Sequence, residues 1–323
     1  MREPLGQDEL VRRVAAREPC GVARAISVVE DRRPAAEATT VELLRKLGKA
    51  TDPLRASRIG ITGPPGVGKS SLMSALAKAI RAGGRTVGVL AVDPSSPRSG
   101  GALLGDRARI EIDPDDTGLF VRSMASGGDL GGLARSAGAA IDVLSAAYDV
   151  VLVETTGVGQ SETDVEHVTD TVLMVIQPGS GDVLQFLKAG IIEIPDVFAV
   201  NKADLGSIAE RAVAELASAL AAAHAGEPRP PPPVVLTSAT SQIGIQKLVE
   251  ALDGHRAELV GVGELAARRA RESARWALRL FLTRWGEQGA EDVGGRARVL
   301  SLLEESIRGG ATAVEAVSQI RVR

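Results

Sequence analysis

The stretch that most constrains this chain is Arg58-Ile59-Gly60-Ile61-Thr62-Gly63-Pro64-Pro65-Gly66-Val67-Gly68-Lys69-Ser70-Ser71. It reads as a short apolar strand, a glycine-rich turn and the first turn of a helix. Residues 63–70 fit the spacing G-x-x-x-x-G-K-[ST]. Each residue type there has a task in holding a phosphate chain. Glycines let the backbone curl until several N–H groups point at one anion, and a helix starting near Gly68 adds its positive dipole end. Lys69 has the reach for β- and γ-phosphate oxygens, and the Ser70 hydroxyl is a Mg²⁺ ligand by type. The helix-forming run 72–80 follows directly. This is a nucleotide-binding sequence.

From residue 58 onward, apolar strand patterns alternate with helical ones, which calls for a mainly parallel sheet covered on both faces. The expected strands are 58–62, 86–93, 119–123, 150–155, 171–177, 197–201 and 234–237; the expected helices between them are 69–82, 133–147, 183–192 and 208–224. Pro230 to Pro233 read as a short stiff spacer before the last strand. Residues 1–57 carry three apolar helical faces: Leu10, Val11 and Val14; Val22, Ala25, Ile26 and Val29; and Val41, Leu43, Leu44 and Leu47. Thr39 or Thr40 is the expected cap of the third, with Gly48 and Pro53 ending it. After Gly244 the pattern is helical to the end, interrupted at 261–263. The fold class is therefore α/β, a P-loop NTPase with N- and C-terminal helical extensions. Its expected parts are an N-terminal extension 1–57, a nucleotide domain 58–255 and a helical arm 256–323. Such an arm packs either on its own domain or on a second subunit.

With 44% apolar residues but only two Trp, one Tyr and four Phe, the core must be built from Ala, Val, Leu and Ile. A net charge of −3 gives no electrostatic case for nucleic acid or an anionic membrane surface. The lone Cys20 rules out an internal disulfide and fits a reducing compartment. With no membrane-spanning run and a charged N-terminus, the expected location is cytoplasmic.

Further segments fall where a GTP site needs them. Residues 150–157 form an apolar strand ending in Glu154 with Gly157 three positions on: the acid serves Mg²⁺ directly or through water, and the glycine N–H meets the γ-phosphate. Asn201-Lys202-Ala203-Asp204 closes another strand. The Asp204 carboxylate accepts from guanine N1–H and its N2 amino group. Adenine offers neither and would leave a costly unpaired acid. Lys202 would lie over the base, and Asn201 would tie this loop to the phosphate loop. Thr237-Ser238-Ala239 ends the last strand, where a backbone N–H could meet guanine O6. Between strands two and three, the polar, glycine-rich stretch from Asp93 to Arg107 offers Asp93 and Asp106 as added Mg²⁺ ligands.

These motifs, in this order, resemble the MeaB/ArgK group of P-loop GTPases within the wider G3E class. The distinctive residues are the phosphate loop, Val92-Asp93-Pro94-Ser95-Ser96, Leu104-Gly105-Asp106, Glu154-Thr155-Thr156-Gly157-Val158-Gly159-Gln160-Ser161-Glu162 and Asn201-Lys202-Ala203-Asp204. The resemblance covers about residues 23–241. Members are accessory proteins of adenosylcobalamin-dependent acyl-CoA mutases, methylmalonyl-CoA mutase first among them. The resemblance implies GTP/GDP and Mg²⁺ as cofactors, with Ser70, Asp93, Asp106 and Glu154 around the metal. It implies slow hydrolysis stimulated by the mutase, and a homodimer formed through the C-terminal helices. It also implies a third switch over residues 177–188, in which Asp182, Gln185 and Lys188 carry nucleotide state to the partner. Val183 stands where the family usually has an acid. In Ras-like GTPases a glutamine directly after the glycine orients the attacking water; here Val158 follows Gly157, and Gln160 is the displaced candidate.

Other readings compete. Metal-insertion GTPases of the G3E class carry His-rich or Cys-rich tracts, whereas His167, His224 and His255 are scattered and Cys20 stands alone. A kinase linked to basic amino-acid transport would need an acceptor-positioning base, for which no motif is recognisable. A nucleotide-gated scaffold with negligible turnover is the binding-only alternative.

Overall fold

The computed structural model describes residues 6–93, 116–125, 133–155, 164–179 and 194–322. Seven strands form one sheet: β1 (Ser57–Thr62), β2 (Val87–Asp93), β3 (Leu119–Ala125), β4 (Val150–Glu154), β5 (Thr171–Ile176), β6 (Val197–Val200) and β7 (Val234–Leu236). Their order is β3-β2-β4-β1-β5-β6-β7, and every neighbouring pair is parallel. All seven expected strands form, shifted by one or two residues at their ends.

Both sheet faces are covered, so the strands read apolar at almost every position. Along β4, Val151 and Val153 point into one core while Val150 and Leu152 point into the other. The second face is closed by α4 (Lys69–Ala82) and α7 (Ile245–Gly261), and α6 (Ser207–Ala223) covers β6 and β7. On the first face lies α5 (Ala137–Ala147), overlaid by α1 (Gln7–Ala15), α2 (Pro19–Val29) and α3 (Glu37–Ala50). The apolar faces expected for the three N-terminal helices are buried there, Val41 alone being only half-buried.

Two helix starts differ from expectation. Neither Thr39 nor Thr40 caps α3, which begins at Glu37 after a 3₁₀ turn, Pro34–Ala36. Proline sets the turn's φ and Glu37 meets the helix dipole, so the chain is already helical at both threonines. Thr40 is buried and donates its hydroxyl to the Val28 carbonyl at 3.3 Å. Gly48 lies inside α3. The helix expected at 133–147 starts at Ala137, and the one expected at 183–192 falls outside the described residues.

The C-terminal helices are α8 (Glu264–Val293), α9 (Arg296–Arg308) and α10 (Ala313–Gln319); α8 kinks at Gly286, where φ is 66°. The first half of α8 packs on its own nucleotide domain. Trp276 is buried in the same core as α1, α2, α3 and α5, and a Cβ on Gly138 would come within 2.5 Å of its indole nitrogen. Along the same face Arg268 grips Asp196, Arg269 grips Asp170, Glu272 meets His167 and Arg279 meets Asp164. Phe281, just before the kink, joins Ala290, Val299, Leu303 and Val317 in a second small core that the C-terminal helices enclose.

Tyr148 leads into β4, fully buried and stacked on Phe120 with ring centroids 6.0 Å apart. Its hydroxyl has no protein partner among the described residues. A buried unpaired hydroxyl costs stability, so Tyr148→Phe should leave the unfolding free energy unchanged or raise it by about 1 kcal/mol in urea unfolding. A clear loss would show that the hydroxyl is satisfied in solution.

Candidate nucleotide site

In a parallel sheet, a ligand crevice opens at the carboxyl ends where connections leave in opposite directions. β1 is that position here, with β4 on one side and β5 on the other. The residues that follow β1, β4, β5, β6 and β7 therefore collect along one rim.

The phosphate loop leaves β1 at Gly63. Gly63 and Gly68 have φ of 140° and 92°, conformations that L side chains rarely adopt. Space enforces both: a Cβ on Gly63 would lie 2.1 Å from the Val175 carbonyl oxygen, and one on Gly68 would lie 2.6 Å from Asn201 Nδ2. Val67 anchors the loop in the core, whereas Pro65, Gly66 and Ser71 are exposed and Pro64 is half-buried. Helix α4 starts at Lys69 with no acidic residue of its own in its first turn. Lys69 is buried, and its ammonium donates to the carbonyls of Gly63 at 2.9 Å and Pro64 at 3.1 Å.

Glu154 ends β4 level with Ile61 of β1 and Ala91 of β2. Its buried carboxylate accepts from Ser70 Oγ at 2.8 Å. Two hard oxygen ligands from separate elements thus converge beside the loop, and this donor set fits Mg²⁺. Asp93 closes β2 on the same rim. Its side chain is outside what the structure describes, as are Asp106, Gly157, Gln160, Asp182, Gln185 and Lys188. Behind Glu154, the buried Thr155 hydroxyl donates to Thr62 Oγ1 at 3.1 Å, joining the roots of the two loops.

The base loop follows β6. As expected, Asn201 ties it to the phosphate loop, donating from Nδ2 to the Val67 carbonyl at 2.9 Å. Asn201 Oδ1 accepts from the Ala239 N–H at 3.3 Å, so one buried amide joins three loops. Asp204 is exposed, and its Oδ1 accepts the Ser238 hydroxyl proton at 2.7 Å. Ser238 Oγ in turn accepts from the Ser241 N–H at 3.2 Å, which directs its proton at the aspartate. The β7 loop thus contributes a side chain that orients Asp204, a role its sequence did not announce. Its backbone is already engaged: the Thr237 N–H goes to Val200, Ser238 to Ile243 and Ala239 to Asn201.

Lys202 adopts the left-handed φ of 65°. Its ammonium donates to the Gly66 carbonyl at 3.2 Å and to Gln177 Oε1. Gln177 is a rim residue that sequence reasoning took only as part of a longer segment. The available signal was its place, a polar side chain directly after an apolar run, as with Glu154 and Asn201.

The chain is similar to known proteins. The family described as methylmalonyl Co-A mutase-associated GTPase MeaB matches residues 22–288. A Pyrococcus abyssi protein carrying a GTPase designation is 45% identical over 264 residues, 81% of this chain and 80% of that one. GTPase ArgK of Escherichia coli is 35% identical over 271 residues, covering 83% of this chain and 81% of ArgK. A crystal structure of an LAO/AO transport system kinase superposes with a TM-score of 0.68 at 27% identity, over 95% of this chain and 99% of that one. A glycine loop, a buried acid at a strand end and a guanine-type base loop on one rim, in a chain matched over this length, place the protein in the MeaB family of GTPases.

Proposed function

We propose that this GTPase binds GTP with Mg²⁺ and hydrolyses it to gate cofactor loading into, and protection of, an adenosylcobalamin-dependent acyl-CoA mutase, with methylmalonyl-CoA mutase the first candidate. The observation that carries the nucleotide half is the base loop: Asp204 is held by Ser238 with its second oxygen available, beside a lysine tethered across to the phosphate loop. A carboxylate so oriented accepts guanine N1–H and N2–H together and finds no partner on adenine. The family description carries the mutase half.

Within this reading, the N–H groups of the phosphate loop and the α4 dipole bind the β-phosphate, and Lys69 turns its ammonium to the β/γ oxygens. Ser70 and Glu154 would hold Mg²⁺, with Asp93 and Asp106 as further ligands. When bound, the metal neutralises charge that develops on the phosphates. Gly157 would meet the γ-phosphate. Gln160, two positions beyond the usual place of a water-orienting glutamine, predicts slow intrinsic turnover that a partner completes. Asp182, Gln185 and Lys188 are the residues assigned to signalling that partner, and the helices after residue 256 are assigned to a homodimer. No helix among the described residues is long and apolar enough to cross a membrane.

The gate is tested by transfer of adenosylcobalamin into apo-methylmalonyl-CoA mutase in complex with this protein. Loading should differ between GTP and a non-hydrolysable GTP analogue. Lys69→Ala should lower GTP turnover by about a hundredfold or more, since it removes charge stabilisation from the transferred group. Loading that ignores the nucleotide contradicts the gate while leaving the GTPase reading intact.

A further inference from the structure

We propose that Gln177 positions the lysine of the base loop and thereby sets affinity for guanine nucleotide, a role that rests on the guanine reading above. Gln177 is the first residue beyond β5, and β5 lies between β1, which bears the phosphate loop, and β6, which bears the base loop. Its side chain is therefore placed between the two loops that must grip opposite ends of one nucleoside phosphate. Gln177 Oε1 accepts a hydrogen bond from Lys202 Nζ, while the same ammonium donates to the Gly66 carbonyl at 3.2 Å.

These two anchors matter because of what Lys202 is. Its backbone sits at φ 65°, a sparsely populated conformation for an L residue, so the direction in which its side chain leaves the loop is fixed at a cost. The side chain itself is a flexible four-carbon stem ending in a point charge, with no geometry of its own. Tethering the ammonium at both Gly66 and Gln177 stretches the methylene stem from the base loop to the phosphate loop. A stem held this way is a preformed apolar wall for a purine face, and the ordering is complete before the nucleotide arrives. At this rim Gln177 contacts the Lys202 ammonium. It acts through Lys202, as a positioning residue.

The test is binding of fluorescent GDP and GTP, with steady-state GTP turnover, by the full chain as wild type, Gln177→Leu, Gln177→Glu, Lys202→Ala and Gln177→Leu with Lys202→Ala. Gln177→Leu should weaken binding about ten- to hundredfold through faster release, the size expected for one hydrogen bond to a charged group. It should raise KM with kcat unchanged, the mark of uniform binding lost. Gln177→Glu keeps the acceptor oxygen and should restore affinity. In the Lys202→Ala background, Gln177→Leu should change nothing further. Unchanged binding by Gln177→Leu overturns the inference, and so does an equal loss in the Lys202→Ala background. A wild type that binds guanine nucleotide alongside an unaffected Gln177→Leu removes this inference alone; a wild type that binds none removes the guanine reading with it.

Discussion

Asp204→Asn should cost the protein its affinity for GTP by about a hundredfold or more and confer binding of xanthosine triphosphate, because the site would then present a donor where it had an acceptor. The Ser238 hydroxyl fixes the outcome. It donates to Asp204 Oδ1, and its own oxygen is occupied by the Ser241 N–H. In the asparagine variant the amide oxygen stays against Ser238, and the NH₂ takes the position that faces the base. Guanine brings its own N2 amino group to that NH₂ and is rejected; xanthine brings a carbonyl and is accepted. Competition between the two triphosphates for the variant reads this directly. Equal GTP binding by wild type and Asp204→Asn would mean that Asp204 does not contact the base.

Arg269→Ala should destabilise the fold by about 3–5 kcal/mol, because it strands a buried acid. Asp170 has no exposed side-chain surface, and Arg269 donates to both its carboxylate oxygens at 2.6 Å while also reaching the Ala56 carbonyl just before β1. Arg256 approaches Asp170 only at 3.4 Å and so offers partial relief. By contrast Arg284 and Glu37 pair at the surface, and Arg284→Ala should cost no more than about 1 kcal/mol. Denaturant unfolding of the two variants gives the comparison; similar losses would contradict the clamp.

The same network sets an acid limit. Burial alone raises the Asp170 carboxyl, but the hydrogen bonds and charge of Arg269, with Arg58, hold it below its ordinary value. Burial likewise opposes ionisation of Asp196, and His255 with Arg268 more than offsets it. A carboxyl lowered in the folded state stabilises the fold above its unfolded value and loses that contribution as pH falls through the folded one. Without Arg269, burial raises the Asp170 carboxyl, so the folded variant takes up a proton above the unfolded value. The stability gap between wild type and Arg269→Ala should be widest near neutral pH and already narrow before pH falls to about 4.

The nucleotide site was legible because its constraints are local. Gly63 and Gly68 need left-handed or crowded backbone, Asn201 needs a three-way amide, and the strands carry continuous Val and Ile runs that only a doubly covered parallel sheet tolerates. Each leaves a mark within a few residues. The attachment of α8 leaves no such mark. Arg268, Arg269, Glu272 and Arg279 follow helical spacing in a run rich in arginine, which by itself names no partner. Their partners Asp196, Asp170, His167 and Asp164 lie far back along the chain and acquire meaning only once it folds back. Ser238 was named as part of the base site, but its hold on Asp204, like that of Gln177 on Lys202, was hidden for a similar reason, since each acts on a residue of the base loop from a different strand. The start of α3 was missed because a proline turn can open a helix without a capping hydroxyl.

Phosphate release from GTP and from ATP, with and without an adenosylcobalamin-dependent acyl-CoA mutase and with Lys69→Ala as control, tests the central claim most directly. The predicted result is slow turnover confined to GTP, abolished by the lysine change and raised by the mutase. Equal use of ATP, or GTP turnover that no such mutase alters, would contradict it.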